Sequence, residues 1–305
     1  MIHLVNTMSA IIVNNLTKYY GNLLALDSLN LSVNEGQIFA FIGPNGAGKT
    51  TTIRLLLNLI KPTEGEIRLL GLNFKTNEVL IKQKIGFLPG ELSLYNNLKG
   101  SEFLTYFENL RKYSDKKYIR NLSDRLDIDL SRKIGELSKG NKQKIGIIQS
   151  LMHRPELMIL DEPTSGLDPL VQQEFHQILF ENKQEGKTIF LSSHVLTEVE
   201  KVADRVGFIR DGKLVIENDM ENLKESSQKY VEIKFSEHIE RDELMKIPNI
   251  TDVIINDETI QCIIKGPIDP FIKIIAHYAI TDLSIRDQDL EEIFIDYYLN
   301  NKGSS

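Results

Sequence analysis

One glycine-rich segment carries the residue types that bind phosphate, and it reads GPNGAGKTT over residues 43–51. Its spacing fits the pattern G-x-x-x-x-G-K-[ST], in which backbone N–H groups surround phosphate oxygens at the start of a helix. Glycine lets the backbone approach the phosphates closely, Lys49 can reach the terminal phosphates, and the Thr50 hydroxyl can ligate Mg²⁺. The predicted phosphate-binding residues are Gly43, Pro44, Asn45, Gly46, Ala47, Gly48, Lys49, Thr50 and Thr51. A glycine turn that binds nothing is the alternative, but an apolar strand pattern before the loop and a helical pattern after it favour a triphosphate site.

Two acidic residues follow a second apolar strand pattern. The run from Leu157 to Leu160 leads directly into Asp161 and Glu162. In open α/β sheets, ligands gather at the C-terminal ends of the strands. We therefore expect Asp161 to hold Mg²⁺ through water and Glu162 to polarise an attacking water. Two ordinary surface acids are the alternative, which the phosphate loop upstream disfavours.

Three further candidates each have a structural explanation beside the functional one. Ser138 begins a helical pattern, so its hydroxyl is either an N-cap or part of an anion site. Tyr20 precedes the phosphate loop and either packs in a strand or stacks on a purine base. His194 follows a strand pattern and is either a structural histidine or a contact to a γ-phosphate. The residue types alone leave these alternatives open.

Composition bounds the class of protein. The chain has 305 residues, of which 41% are hydrophobic and 26% charged, enough for one large and one smaller domain. A net charge of -7 provides no overall basic field, so we expect no nucleic-acid partner. The single cysteine, Cys262, lies in an apolar stretch, which indicates packing in a reducing compartment. No apolar run is long enough to cross a bilayer, which predicts a cytoplasmic protein.

The order of strand and helix patterns predicts an α/β domain followed by a smaller α+β domain. Predicted limits are an N-terminal extension over 1–9, a nucleotide-binding domain over 10–225 and an accessory domain over 226–305. Antiparallel strand patterns precede the phosphate loop, and residues 92–153 indicate a helical insertion. The aromatic residues of that insertion form either its own core or a partner surface; they are Tyr95, Phe103, Tyr106 and Phe107.

The accessory domain follows a polar segment, 218–229, that is typical of a linker helix. Its patterns run in the order βαββαβ, with helices near 241–246 and 269–278, which is the ferredoxin-like order. A last helix carries an apolar stripe that either packs on its own domain or meets a partner; the stripe is Leu290, Ile293, Phe294, Tyr297 and Tyr298.

Five motifs in order resemble one family. GPNGAGKTT, LSKGN, LMILDEP, SGLD and LSSH resemble the Walker A, signature, Walker B, D-loop and switch-histidine motifs of ABC transporter ATPase subunits. The resemblance covers about residues 10–225 and implies a P-loop ABC-ATPase fold, with a mixed central sheet, an antiparallel N-terminal β subdomain and a helical insertion. It also implies ATP and Mg²⁺ as cofactors and a head-to-tail homodimer. Each ATP would lie between Walker A of one subunit and Ser138 with Gly140 of the other.

The same resemblance implies roles for single residues. Glu162 matches the catalytic base, His194 the γ-phosphate contact and Tyr20 the aromatic residue that stacks on the base. Asp168 matches the D-loop aspartate, which reaches across the dimer interface.

Two departures from the family pattern bear on function. The signature usually reads LSGGQ, and here Lys139 and Asn141 replace its third and fifth residues. The position after Pro89, where the family commonly has a glutamine that senses Mg²⁺ and the membrane partner, holds Gly90. Gly90 and Glu91 are therefore the candidates for coupling, through backbone, water or the Glu91 carboxylate.

The sequence thus predicts an ATPase that drives a separate transmembrane permease, at the cytoplasmic face of the cell membrane. The stretch LEEIFIDYY resembles the tail of bacterial exporters of antibiotics, lipids and ions, which favours export. One rival is an ATPase of the same fold that acts on ribosomes or DNA. A second rival is a nucleotide-gated binding module with little turnover.

Overall fold

The computed structural model describes residues 8–113, 115–225, 228–236, 250–256 and 259–294. The chain divides into two compact units, Met1–Asn218 and Asp219–Ser305.

A six-stranded sheet forms the centre of the first unit. Its strands are β3 Ile38–Ile42, β6 Ile85–Leu88, β7 Leu157–Asp161, β8 Thr188–Ser193, β9 Arg205–Arg210 and β10 Lys213–Asp219, in the spatial order β10-β9-β3-β8-β7-β6. The β9–β3–β8–β7–β6 pairings are all parallel. Every residue of β3, β7 and β8 is buried, which explains their nearly continuous apolar sequences. Because the three strands run the same way, their C-terminal residues meet at one edge of the sheet.

A second sheet is antiparallel, and its strands lie before and after the phosphate loop in the sequence. It contains β1 Ser9–Tyr20, β2 Leu23–Asn34, β4 Glu64–Leu69 and β5 Leu72–Asn73, in the order β2-β1-β4-β5. Buried side chains from both β1 and β2, among them Ile11 and Leu29, share one apolar core with Phe39 and Phe41 of the central sheet. The predicted antiparallel N-terminal strands and the predicted fold class are confirmed.

Helices surround these sheets. They are α1 Lys49–Leu56, α2 Phe74–Lys84, α3 Gly100–Arg111, α4 Lys116–Arg125, α5 Lys139–Leu151, α6 Pro169–Gln184 and α7 Leu196–Val202. The insertion predicted over 92–153 contains α3, α4 and α5. Of its aromatic residues, Phe103 is buried, whereas Tyr95 and Tyr106 are about half exposed. None of the described helices is long and apolar enough to span a bilayer.

The second unit holds a four-stranded antiparallel sheet. Its elements are α8 Met220–Glu225, β11 Gln228–Phe235, β12 Ile250–Asn256, β13 Thr259–Lys265, α9 Asp269–Ile275 and β14 Ile280–Asp287, and the strand order is β12-β13-β11-β14. This is the arrangement expected from the ferredoxin-like pattern. Phe235, Cys262 and Phe271 lie in its core. Burial raises the pKa of the Cys262 thiol to about 11, as expected of a packing residue.

Several predictions for the second unit need adjustment or lie outside the described residues. The linker helix predicted over 218–229 is shorter, because β10 continues to Asp219 and β11 begins at Gln228. The two units divide after Asn218, seven residues before the predicted limit, since α8 groups with the second unit. Leu290, Ile293 and Phe294 of the last apolar stripe are buried. The helix near 241–246, Tyr297 and Tyr298 fall outside the described residues.

Candidate nucleotide-binding and hydrolysis site

The phosphate loop lies between β3 and α1, and two of its glycines have no substitute. A Cβ at Gly43 would lie 2.2 Å from the carbonyl oxygen of Ile209, so any side chain would clash with backbone. Gly48 caps α1 with φ of 113°, and a Cβ there would lie 2.8 Å from Leu26 Cδ2. Glycine is therefore required at position 43 because the backbone approaches a neighbouring carbonyl closely, and at position 48 because the backbone is left-handed. The first N–H groups of an α-helix have no partner within the helix, so those of α1 can bind an anion.

A cavity opens in front of this loop with a volume of about 490 Å³. Its lining includes the loop, one aromatic side chain, one acid and the turn between β9 and β10. The lining residues are Tyr20, Leu23, Leu24, Ala25, Pro44, Asn45, Gly46, Gly48, Lys49, Thr50, Thr51, Glu162, Asp211 and Gly212. The volume falls within the range of small-molecule sites. Tyr20, from the end of β1, thus faces the same cavity as the phosphate loop.

Lys49 is a buried cation whose side chain is held by the loop itself. Its Nζ donates to the carbonyl oxygens of Gly43, at 2.5 Å, and Pro44, at 3.2 Å. The Glu162 Oε1 lies 3.7 Å from the same nitrogen. Burial lowers the pKa of Lys49, and the carboxylates of Glu162 and Asp161 oppose that shift. An anion entering the cavity would find this ammonium desolvated and already oriented.

Asp161 joins the loop to the neighbouring strand. Its Oδ2 accepts a hydrogen bond from the Thr50 hydroxyl at 3.1 Å, and its Oδ1 accepts one from the Ser192 hydroxyl at 2.5 Å. A Cβ at Gly90 would lie 3.3 Å from Oδ2, so glycine leaves space beside the carboxylate. A hydroxyl, a carboxylate and room for water fit Mg²⁺, which uses few protein ligands and completes its shell with water and phosphate oxygens. The described residues contain no cluster of three or more His, Cys, Asp or Glu that could hold a metal ion.

Glu162 directly follows β7, and its carboxylate contacts the side chains of Lys49 and His194. Its Oε2 lies 2.7 Å from His194 Nδ1, whereas the other carboxylate oxygen, Oε1, faces Lys49. Its backbone is left-handed, with φ of 48°, and its N–H donates to the carbonyl oxygen and the hydroxyl of Ser192. This conformation is unusual for a residue with a side chain, and such strain persists where the surroundings enforce it. The strand end therefore holds the carboxylate at the mouth of the cavity.

The signature residues lie away from this cavity within one copy of the chain. Ser138 is exposed and caps α5, since its Oγ accepts from the Asn141 N–H at 3.2 Å. A Cβ at Gly140 would lie 2.4 Å from the carbonyl oxygen of Gly166, so the signature and the SGLD loop are adjacent. Asp168 is also exposed and caps α6 through Val171 N–H at 3.0 Å. The structure thus gathers the two motifs on one surface but does not bring them to their own phosphate loop.

Several residues of the site were not identified from sequence. Ser192 is fully buried and bonds both Asp161 and Glu162. Gln143 is buried in α5, and its side-chain amide donates to the Pro163 carbonyl at 2.9 Å, directly after Glu162. Asp211 and Gly212 contribute a turn to the cavity wall. A polar residue inside an apolar helical or strand pattern was the available signal for Ser192 and Gln143.

Comparisons with known proteins agree on one family. The family model described as ABC transporter matches residues 26–165. The chain is 42% identical to the bacitracin transport ATP-binding protein BcrA of Bacillus licheniformis, over 75% of this chain and 76% of that protein. It is 38% identical to the lantibiotic transport ATP-binding protein SrtF of Streptococcus pyogenes, over 70% of this chain and 93% of that protein.

Solved structures show the same likeness. The ATP-binding subunit of an ABC transporter superimposes with a TM-score of 0.65 at 29% identity, covering 70% of this chain and 92% of that one. The dimeric ATP-binding cassette MJ0796 superimposes with a TM-score of 0.62 at 25% identity, covering 69% of this chain and 98% of that one. That structure is a post-hydrolysis state bound to ADP and Pi.

Proposed function

The chain belongs to the family of ABC transporter ATP-binding subunits, and on that premise we propose that two copies of it enclose two ATP molecules and drive a separate membrane permease. The observation that carries the proposal is the position of Glu162 between Lys49 and His194 at the mouth of the cavity. A nucleotide-gated module with little turnover would not need an acid held in strained backbone beside the phosphate loop.

In the proposed reaction, the loop N–H groups and Lys49 hold the β- and γ-phosphates, while Tyr20 stacks on the base. Thr50 and Asp161 would hold Mg²⁺, the latter through water, and the ion would neutralise charge that develops on the phosphates. Glu162 accepts a proton from the attacking water, and His194 orients that carboxylate and contacts the γ-phosphate. These are positioning and electrostatic roles, which dominate phosphoryl transfer.

The second copy would complete the site. Ser138 and Gly140 would face the γ-phosphate bound to the other copy, and Asp168 would lie at the interface. Their exposure in a single copy, away from its own cavity, supports this role. The dimeric cassette structure is a precedent for the assembly.

We further propose a transmembrane permease as partner and a location at the cytoplasmic face of the cell membrane. The relatives named for bacitracin and lantibiotic transport support a peptide-antibiotic or similar amphipathic cargo, and the tail resemblance supports export. We propose that the permease signal enters at Gly90 and Glu91, which the position of Gly90 beside Asp161 supports.

Two measurements test the proposal. Phosphate release by the purified chain is expected to fall by about 10²-fold or more in Glu162→Gln, because a general base contributes about 10²–10⁴. Equal rates would reject the catalytic assignment. A tagged chain is also expected to co-purify with a multi-span protein from detergent-solubilised membranes. Co-purification with ribosomes or DNA instead would favour the rival function.

A further inference from the structure

The backbone at Glu162 is held from two sides, by strand β8 and by helix α5. On the β8 side, the Glu162 N–H donates to the carbonyl oxygen and to the hydroxyl of Ser192, at 3.2 Å and 3.1 Å. On the α5 side, the side-chain amide of Gln143 donates to the Pro163 carbonyl at 2.9 Å, and the Glu162 carbonyl lies 3.5 Å from the same nitrogen. The residue that carries the catalytic carboxylate therefore lies between a strand and a side chain of a helix.

The loop after Glu162 depends on hydrogen bonds from outside the loop. Pro163 has no N–H and so donates no bond within it. One internal bond closes the turn, from the Ser165 N–H to the Glu162 carbonyl at 3.2 Å. Glu162 itself has a left-handed backbone, with φ of 48°, which costs free energy for a residue with a Cβ. Such a conformation persists where the surroundings enforce it, and Gln143 is the side chain of α5 that does so.

Gln143 is a polar side chain among apolar ones. It is 3% exposed, and Ile145 and Ile147 of the same helix are fully buried. The Pro163 residue that accepts its hydrogen bond is buried as well. Removing the donor would leave that carbonyl unsatisfied, which costs free energy. Gln143 is not among the residues that line the nucleotide cavity, so its effect on the reaction has to pass through the backbone at Glu162.

The start of α5 meets the same loop at a second point. A Cβ at Gly140 would lie 2.4 Å from the carbonyl oxygen of Gly166, so the two backbones are in close contact. Gly140 and Gln143 are neighbours on one face of the helix, since residues three apart lie side by side. The helix and the loop over 162–166 are thus joined along almost a full turn of α5.

We propose that Gln143 is a positioning residue for ATP hydrolysis, which holds the peptide after Glu162 so that the carboxylate faces the attacking water. This role rests on the proposed function, in which Glu162 is the base. Because the start of α5 also holds Ser138 and Gly140, the same side chain ties the orientation of the base to the helix that would contact the nucleotide of the second copy. Gln143 therefore affects the rate of hydrolysis and leaves the affinity for ATP unchanged.

The test measures rate and affinity separately in Gln143→Met, which keeps the length of the side chain and removes the donor. We expect the single-turnover rate of ATP hydrolysis to fall by about tenfold or more, since a misplacement of about 1 Å can cost about 10²-fold. The Kd for ATP, measured by calorimetric titration, should not change. Gln149→Met is the matched control, because Gln149 is half-buried on another face of the same helix, and it should keep both values.

A second background separates positioning from a general loss of structure. In Glu162→Gln, the Gln143→Met change should lower the residual rate no further, because the base is already absent. Equal factors in the two backgrounds would overturn the proposal. So would a wild-type rate in Gln143→Met, or a loss of ATP affinity as large as the loss of rate. Melting curves with and without ATP check that each variant is folded and binds nucleotide.

Gln143→Asn repeats the test with an amide, drawn back by a methylene so that it no longer reaches Pro163. It should show the same selective loss of rate, and wild-type kinetics would again overturn the proposal. Failure of the proposed function gives a different result. A Glu162→Gln chain as fast as wild type rejects the base itself, whereas a slow Glu162→Gln chain beside a fast Gln143→Met chain rejects only the role of Gln143.

Discussion

The Glu162 carboxylate and the His194 imidazole are in direct contact, with 2.7 Å between Oε2 and Nδ1. They come from the ends of adjacent parallel strands, β7 and β8, which are in register from Leu157 to Asp161. Glu162 is largely covered, whereas His194 is about half exposed. The histidine therefore reaches the carboxylate from the solvent side and fixes its orientation.

A double-mutant cycle tests this contact. We expect His194→Ala to lower the rate of ATP hydrolysis by about 10²-fold, because a misoriented base loses most of its effect. In a Glu162→Gln background the same change should add little, since groups that act as a unit are not additive. Single-turnover phosphate release measures all four proteins. If the rate of the double variant is reduced by the product of the two single-variant factors, the histidine acts independently of Glu162.

Tyr20 should contribute to nucleotide affinity through stacking. Tyr20→Ala is expected to weaken ATP binding by about 5–150-fold, since stacking on an aromatic ring contributes about 1–3 kcal/mol per base. Tyr20→Phe keeps the ring and should bind normally. Tyr19→Ala is the matched control, because Tyr19 is exposed to the same extent, 44% against 43%, and does not line the cavity. Calorimetric titration measures the affinities, and equal losses at both positions would contradict stacking.

Lys49 should favour nucleotide binding at the expense of stability. Its pKa is lowered chiefly by burial, so keeping this ammonium charged costs free energy in the nucleotide-free protein. We expect Lys49→Met to melt at an equal or higher temperature than wild type without ATP, and to lose the upward shift that ATP produces. ATP at a concentration of about 100 times its Kd stabilises the folded state of a protein that binds it by about 2.7 kcal/mol. Lys75→Met, at an exposed lysine, should retain that shift.

Differential scanning fluorimetry with and without ATP compares the three proteins. A Lys49→Met chain that still gains stability from ATP would show that Lys49 does not contact the phosphates.

The features of the site and fold that were predicted best from the sequence are those that depend on residues close together along the chain. Gly43, Gly48 and Lys49 are recognisable because the loop, the strand before it and the helix after it are contiguous. The role of Ser192 was not predicted, since it depends on β8 lying beside β7, about thirty positions away in sequence. The strand order of the second unit followed from its pattern of elements.

His153 should make stability depend on pH. It is buried, its Nε2 contacts the Ile85 carbonyl at 3.0 Å, and its Nδ1 has no hydrogen-bond partner. Burial, and next the charge of Arg111, lowers the pKa of His153 from 6.5 to about 4. The folded state therefore binds this proton less readily than the unfolded state. Its contribution to stability is present above pH 6.5 and is lost as pH falls toward 4.

The expected size follows from the two pKa values. When the pH is lowered from about 7.5 to about 5, the free energy of unfolding of wild type should fall by about 2 kcal/mol more than that of His153→Gln, which lacks the titrating group. Urea unfolding at both pH values measures the difference, and other titrating groups cancel because both proteins contain them. Parallel pH profiles would mean that the pKa of His153 is the same in the folded and unfolded states.

Glu91 and Gly90 should affect different steps of the cycle. Gly90 borders Asp161, where a Cβ would lie 3.3 Å from Oδ2, whereas Glu91 is exposed. We expect Gly90→Ala to lower basal ATP hydrolysis by about tenfold, because crowding the carboxylate shifts a group that positions the phosphates. Glu91→Ala should leave basal hydrolysis unchanged and lower only the stimulation by the permease, if its carboxylate carries the signal.

Reconstitution of the chain with the proposed permease in lipid vesicles separates these two rates. Glu136→Ala is the control, since Glu136 is an exposed acid of the helical insertion that follows Glu91. Full stimulation of Glu91→Ala would exclude its carboxylate and leave the backbone or a water beside Gly90 as the route. Loss of stimulation in Glu91→Ala with recovery in Glu91→Asp would instead show that the missing glutamine is replaced by a charge one residue further along the chain.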